Sequence, residues 1–505
     1  MKRIYFLLIA VFSLTVSQAQ NISDGLRYGT DNTTGTARYT ALSGAFGALG
    51  GDLSAMALNP AGSAIFITND LSVSLGAIDR KNSTNYFGTN GSAIDTDITL
   101  NQVGGVFVFN NSDENSGWKK FSIGVNFNNT NNLDDELFFT GTGNRSIASY
   151  FVNRAQGIPL DLLQLQGNES ISDLYAYLGQ TQGTAAQDAF LGYQGFIIDP
   201  VSADPDNTQY MSNIASGSFN QDYYQVSTGY NGKYTVNFAT QYTNNWYFGI
   251  NLNAHSIEYF QRNFLYETNS NPGSLVNEVG FENNLSVLGN GFSAQLGTIG
   301  KVSEQFRIGF TYDTPTWYEI SEETTQYLET VRTENGDVIT EIISPNVLNV
   351  FEDYNLRTPG RYAASAAYIF GKQGLISVDY SYKDYSETKF SSDFSGEFSA
   401  LNNAISNTLK GSSSLRIGGE YRINELSLRG GLRYEESPYS DENTVGDLNG
   451  FSMGIGYDFG NYNFDIAWSR TERDSAKQLY STGLTSVGSI ANETNNIIFT
   501  LGLSL

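Results

Sequence analysis

The stretch Asn496-Ile497-Ile498-Phe499-Thr500-Leu501-Gly502-Leu503-Ser504-Leu505 sets Ile497, Phe499, Leu501, Leu503 and Leu505 at every second position, with smaller or polar residues between most of them. Successive side chains of a β-strand point to opposite faces, so this spacing makes a strand with one continuous apolar face. Comparable segments lie at 71 to 79, 99 to 109, 119 to 129, 232 to 242, 245 to 258, 285 to 299, 305 to 313, 359 to 371, 374 to 386, 412 to 422, 425 to 435, 450 to 459 and 461 to 471. Together they make about fourteen strands, most near ten residues long, the length of a strand that crosses a bilayer at a tilt.

Parity separates the two faces. Leu415, Ile417 and Tyr421 oppose Arg416, Glu420 and Arg422; Leu426, Leu428, Leu432 and Tyr434 oppose Ser427, Arg429, Arg433 and Glu435; Tyr462, Phe464, Ile466 and Trp468 oppose Asn463, Asp465 and Ser469. A cation facing lipid at mid-depth costs about 2 to 4 kcal/mol, so the apolar sets belong to lipid and the charged sets to a lumen. Connections alternate between a few residues, as at 242 to 245 and 371 to 374, and long excursions at 130 to 231, 314 to 358 and 387 to 411. The pattern predicts an all-β chain, a transmembrane antiparallel β-barrel whose turns are short on one side and whose loops are long on the extracellular side. Within the longest loop, Ile158, Leu162, Leu163 and Leu165, then Leu174, Tyr177 and Leu178, predict short helices between 145 and 190 that pack on the rim or collect hydrophobic substrate.

Lys2 and Arg3 precede an apolar run from Ile4 to Val16, with Ser17 and Ala19 placed for a cleavage before Gln20, so residues 1 to 19 read as a signal peptide. Mean hydropathy is -0.29, and no later stretch is long and apolar enough for a spanning helix. Cysteine is absent, which removes disulfides and thiolate chemistry. The 28 basic against 52 acidic residues argue against a nucleic-acid partner. Thirty-two Tyr and 32 Phe suit aromatic girdles at two membrane interfaces.

Between the signal and the first strand, Gly35 to Gly62 is dominated by Gly, Ala and Ser. Small residues suit a chain packed closely inside a lumen; a flexible periplasmic leader is the alternative. With Asn59-Pro60-Ala61 after the Gly44 to Asp52 run, with Thr358-Pro359-Gly360-Arg361-Tyr362 and Val378-Asp379-Tyr380-Ser381-Tyr382, and with Leu415 to Tyr421, Leu428 to Tyr434 and Ser437-Pro438, the chain resembles the FadL/TodX family of outer-membrane transporters. The resemblance implies residues 20 to 70 as an N-terminal hatch, with Gly47, Gly50, Asn59, Pro60 and Ala61 as gate residues, inside a 71 to 505 barrel of fourteen strands. It implies transport of hydrophobic compounds such as long-chain fatty acids, without a cofactor, captured outside and released sideways through the wall near the third strand. There Phe121, Gly124 and Phe127 are the candidate opening, Gly124 as a bulge or kink. Outer-membrane lipid, lipopolysaccharide and the barrel-assembly machinery are the implied partners. The loops diverge too far to carry over any ligand residue.

Sideways release avoids exposing a tail to water at about 0.8 kcal/mol per methylene. Arg416, Arg429 and Arg433 are the candidates to hold a carboxylate in the lumen, or else they pair with Glu420, Glu435 and Asp379. The competing functions are haem uptake, with Tyr as iron ligand, and a barrel that serves as subunit of a larger membrane complex. The single histidine, His255, shares lumenal parity with Asn251 and Asn253 and has no serine motif beside it, so catalysis is not expected. Asp199, Asp204, Asp206 and Asn207 form either a calcium-binding cluster or a solvated turn.

Overall fold

The computed structural model describes residues 20–505 apart from 114 and 395, so the signal segment at 1 to 19 lies outside the described residues. Among the described residues, fourteen antiparallel strands close into a barrel: β1 (Asp70–Tyr86), β2 (Thr89–Asn110), β3 (Trp118–Asn132), β4 (Phe219–Tyr242), β5 (Trp246–Thr268), β6 (Val276–Lys301), β7 (Phe306–Asp313), β8 (Arg361–Ile369), β9 (Gly374–Asp384), β10 (Gly411–Ile423), β11 (Leu426–Glu435), β12 (Val445–Asp458), β13 (Tyr462–Gln478) and β14 (Val487–Ser504). Each pairs with its sequence neighbours, and β14 closes the ring on β1 from Asp70↔Ser504 to Asn85↔Ser489. Closure leaves no sheet edge for lipid to meet. Parity sorts the faces as the sequence requires: Leu415, Ile417, Leu428 and Leu432 are exposed on the outer surface, and Arg416, Glu420 and Arg433 are buried inside.

The strands are longer than their apolar segments. β4, β5 and β6 have 24, 23 and 26 residues, not about ten. Above the bilayer neither face has to be apolar, so a stretch such as Gln261 to Thr268 continues the strand without the alternation that marks it. For the same reason residues 80 to 98 are no loop. They complete a hairpin that turns at Phe87 and Gly88, both left-handed at φ 50° and 80°, as a two-residue primed turn needs. After β7 the chain bends at Thr314-Pro315-Thr316 and rises beside β6 as a strand, Trp317–Glu334, which folds back as Asp337–Ile343.

Residues 20 to 69 descend through the lumen. The helix α1 (Ile22–Gly29) is closed by a capping box between Asn21 and Asp24 and packs among Tyr259, Tyr318, Tyr354 and Phe390 near the loop end. Gln20 Nε2 and Tyr354 Oη both donate to the carboxylate of Glu322, each at 2.6 Å. Two short helices follow, α2 (Ala37–Ala41) and α3 (Leu53–Leu58), then a 3₁₀ turn, Pro60–Ile65. Phe66 carbonyl accepts from Lys120 Nζ, and the Leu505 N–H donates to Asn69 carbonyl, at the turn end.

This segment fits because the wall is glycine at several points where its backbone comes closest. A Cβ at Gly418 or Gly431 would stand 2.7 or 2.5 Å from the main chain of Leu42, and one at Gly454 would stand 2.6 Å from Ala41 Cβ. Gly249 and Gly297 clear the Asn59-Pro60 turn, and Gly309 clears the Gly47 carbonyl. These glycines face inward on neighbouring strands and together make a smooth bed.

The loop end is covered. Between Leu133 and Ser218 lie a strand, Asp135–Gly143, and the helices α4 (Ala148–Ala155), α5 (Ile171–Thr181) and α6 (Thr184–Gln194), which occupy the stretch expected to be helical, 145 to 190, and run past it to Gln194. Their apolar faces pack into the barrel mouth: Phe151, Tyr175 and Phe190 share one core with Leu265, Phe281 and Leu328. Asp188 is buried in it and accepts from Tyr150 Oη at 2.8 Å, Arg154 Nε at 2.7 Å and Gln326 Nε2 at 2.8 Å, which compensates the charge.

Gly431→Val should displace the α2 region while leaving the wall intact. Trypsin is then expected to cut after Arg38 in a protein whose folded gel mobility is unchanged; protection equal to the parent would show that the glycine bed is not needed. Burial and the charge of Asp24 push the Glu322 carboxyl up from 4.5 to about 7, against the hydrogen bonds from Tyr354 and Gln20. With the folded value raised, its contribution is complete below 4.5 and is lost as pH rises through about 7. Protease access to residues 20 to 29 should therefore increase across that range, and Glu322→Gln should flatten the profile.

Candidate functional site

The five residues expected to form the gate meet in one knot. Asn59 Nδ2 donates to Gly47 carbonyl at 2.7 Å and to Thr298 carbonyl of β6 at 3.2 Å, while its Oδ1 accepts from Ala61 N–H at 3.1 Å. Pro60 opens the 3₁₀ turn, where its missing N–H costs nothing. Gly50, left-handed at φ 64°, lies against Gly62, whose carbonyl accepts from Gly51 N–H at 3.1 Å. Asp379 of β9 holds the knot from the wall, its Oδ2 accepting from Phe46 and Gly47 N–H at 2.7 and 2.9 Å.

The three arginines proposed to bind carboxylate have different surroundings. Arg429 lies between Glu420, at 2.7 Å, and Asp465. Glu420 also takes Arg38 of α2 at 2.9 Å and Arg422 at 2.7 Å. Arg433 pairs with Glu435 at 2.6 Å and donates to Thr33 at 2.7 Å; Arg473 reaches the same Glu435 at 2.9 Å. Arg429 and Arg433 are thus already paired. Among the described residues Arg416 is not: its contact is Tyr39 Oη at 3.5 Å, and its Nε has no hydrogen-bond partner although the residue is buried. Asp379, the expected partner, is turned to the inner segment instead.

A second group of charges faces open lumen. Asp31, exposed to the lumenal space although deep in the barrel, stands among Lys383, Lys233, Arg361 and His255. Burial alone would raise its carboxyl, but these neighbours outweigh burial and hold it below the usual carboxylate range. Lys233 donates to Gln295 Oε1 at 3.1 Å, Lys383 to Gly29 carbonyl at 2.5 Å, and Arg361 pairs with Asp313 at 2.6 Å. His255 bonds Ser293 Oγ at 2.8 Å and sets its ring edge to face with Tyr318, 5.6 Å away. Two cavities of about 250 and 230 Å³ adjoin α2, one lined by Thr40, Ser43 and Arg433 and the other by Thr36, Arg38 and Arg429, and Ala37 and Ala41 of α2 pack on Ala467 and Ile498 of the wall.

The wall itself parts at one place. The β2–β3 ladder runs from Asn110↔Lys120 to Gln102↔Asn128 and stops, so Thr89 to Asn101 of β2 has no partner on β3. Two bulges mark the parting: Asn101 is extra on β2 relative to β1, and Thr130 is extra on β3 relative to β4. Asn101 is fully buried, and among the described residues neither atom of its side-chain amide has a partner. The inner segment occupies the edge β3 has lost: Asn32 N–H donates to Thr130 carbonyl at 2.8 Å, Asn32 Nδ2 to Asn131 Oδ1 at 2.6 Å, and Thr34 Oγ1 to Asn129 carbonyl. Side chains span the gap, Asn129 Nδ2 to Thr99 Oγ1 at 2.9 Å and Asn132 Nδ2 to Asp97 Oδ2 at 3.1 Å.

Gly124 is not the kink. Its ladders run unbroken on both sides, through Val106↔Gly124 and Gly124↔Asn237, and its missing side chain makes room for Met56 of α3. Phe121 is stacked between Phe109 and Phe238 at 6.2 and 6.5 Å, and Phe127 lies 5.0 Å from Tyr234. Phe127 also borders an apolar recess of about 580 Å³ in the wall, with Val103, Gly105, Val125, Val236 and Leu252.

Residues 207–504 match the family described as outer membrane protein transport protein (OMPP1/FadL/TodX). The chain belongs to that family. Its members are transport barrels for hydrophobic small molecules and not enzymes. The fold is similar to that of a FadL homologue from Pseudomonas aeruginosa, at 13% identity over 94% of this chain and 98% of the other, with a TM-score of 0.56. It is also similar to the toluene transporter TodX of Pseudomonas putida, at 12% identity over 94% and 99%, with a TM-score of 0.50. No curated protein matches the chain.

In this FadL/TodX barrel, sequence reading found the inner segment and the paired arginines but missed Asp31 and the bulges at Asn101 and Thr130. Asp31 carries no pattern, and a bulge shifts alternation by a single residue. Asp204 and Asn207 sit in an exposed turn, with Asp206 N–H donating to Asp204 Oδ1 at 3.1 Å; among the described residues no acidic or histidine cluster is placed to hold a metal. Glu420→Ala should leave Arg38 and Arg429 buried with a partner lost and cost about 3 to 5 kcal/mol. Arg422→Ala, at the exposed rim of the same cluster, should cost under about 1 kcal/mol. Urea unfolding in micelles separates the two, and equal costs would contradict the network.

Proposed function

We propose that this barrel admits an amphipathic hydrophobe, a long-chain fatty acid or similar carboxylate, from the cell surface and releases it sideways between β2 and β3 under control of the N-terminal segment. The observation that carries the reading is the parting at Gln102 and Asn128, where Asn32 and Thr34 hold the edge that β2 has left. The segment that blocks the lumen is also the one that holds the wall apart, so a shift of one moves the other. The apolar recess beside Val125 and Phe127 continues the path into lipid, and a tail on that route never meets bulk water. TodX is a toluene transporter. Here Lys233, Lys383 and unpaired Arg416 favour a ligand with a negative head, and they replace Arg429 and Arg433 in that role.

Since the native chain has no cysteine, Thr99→Cys with Asn129→Cys introduces one bridge across the seam. Oxidation is expected to reduce oleate uptake at least about tenfold, with recovery on reduction. Full uptake by a quantitatively bridged barrel would exclude the seam as the exit.

A further inference from the structure

The β1–β2 hairpin rises beyond the β2–β3 ladder with one edge open. From Thr89 to Asn101, β2 is hydrogen-bonded to β1 and, among the described residues, has no ladder on its other side; Asn132 and Asn129 of β3 bridge its lower end to Asp97 and Thr99, so the edge is free of side-chain bridges above Asp97. Such an edge presents a row of main-chain donors and acceptors, a template for a further strand. Its outer face is apolar, with Ile94 57%, Ile98 77% and Leu100 39% exposed, and its inner face carries Asp95 and Asp97. Below the edge the wall forms a step. Phe138 lies under β2, where a Cβ at Gly91 would meet its carbonyl at 2.8 Å. Tyr224, stacked on Phe138 at 4.6 Å, extends the step and is 45% exposed.

We propose that this edge docks an extended segment of a partner protein in which apolar residues alternate with basic ones, adding a strand to β2. The apolar set would continue the row of Ile94, Ile98 and Leu100, and the basic set would face Asp95 and Asp97 on the inner side. A second copy of this chain is the wrong occupant, because pairing of two β2 edges sets Asp95 and Asp97 against their own kind. Acyl chains cover the apolar row but leave the main-chain groups unbonded. The inward carboxylates thus reject self-association and select a cationic strand, which is specificity by repulsion as well as attraction. This docking does not depend on transport.

The test uses the full mature barrel in nanodiscs and a fluorescent synthetic peptide of alternating valine and lysine, read by anisotropy. Saturable binding is expected, lost when the peptide backbone is N-methylated and weakened about tenfold by Ile98→Lys and by Asp97→Lys, each in a barrel of unchanged folded mobility. No binding, equal binding of the N-methylated peptide, or equal binding of a block peptide of the same composition would overturn the proposal. Self-association abolished by Ile98→Lys would reassign the edge to a second copy, and displacement of the peptide by lipid A would reassign it to lipid; either outcome overturns the proposal.

Discussion

Backbone hydrogen bonding in lipid is the constraint on which the rest of this structure depends. A chain that crosses a bilayer with strands can do so only if every strand edge is paired, and fourteen strands do this by closing on themselves. β2 and β3 separate at one end of their ladder, where Asn32 and Thr34 of the inner segment take up the edge of β3. Their last shared pair, Gln102↔Asn128, completes nine residues of ladder on each strand, close to the reach of a tilted strand across the hydrocarbon.

A closed ring of this size encloses more lumen than side chains of its own wall can fill. The N-terminal segment fills it, and the match depends on backbone meeting backbone. Gly309, Gly418, Gly431 and Gly454 remove the side chains that would keep the segment at a distance, and Asp379 and Asn59 supply the hydrogen bonds that such close approach allows. Charges in the same space are mostly neutralised in groups: Glu420 with three arginines, Glu435 with two. Among the described residues Arg416 makes no ion pair, Arg307 donates to Leu49 carbonyl at 3.1 Å instead of to a carboxylate, and Asp31 stands among Lys233, Lys383 and Arg361.

The limits of sequence reading follow from the same physics. Alternation is visible only where one face meets lipid, so the membrane halves of all fourteen strands could be read and the upper halves of β4, β5 and β6 could not. The turn at Phe87-Gly88 was hidden because a phenylalanine stands at a position that usually signals itself with Asn or Asp. Gly124 looked like a kink because a glycine inside a strand has two meanings, and only the position of Met56 shows that close packing is the one realised here.

The sequence by itself determined the barrel, its inward and outward faces, the side that carries the loops and the presence of a small-residue segment for the lumen, because each is a local periodicity or composition imposed by lipid on one face. Tertiary structure decided that Arg429 and Arg433 meet carboxylates, where the wall parts, and that Asn32 and Thr34 take the edge β2 leaves. Those outcomes depend on register between strands distant in sequence, and a one-residue bulge at Asn101 or Thr130 changes register without changing any pattern a sequence displays.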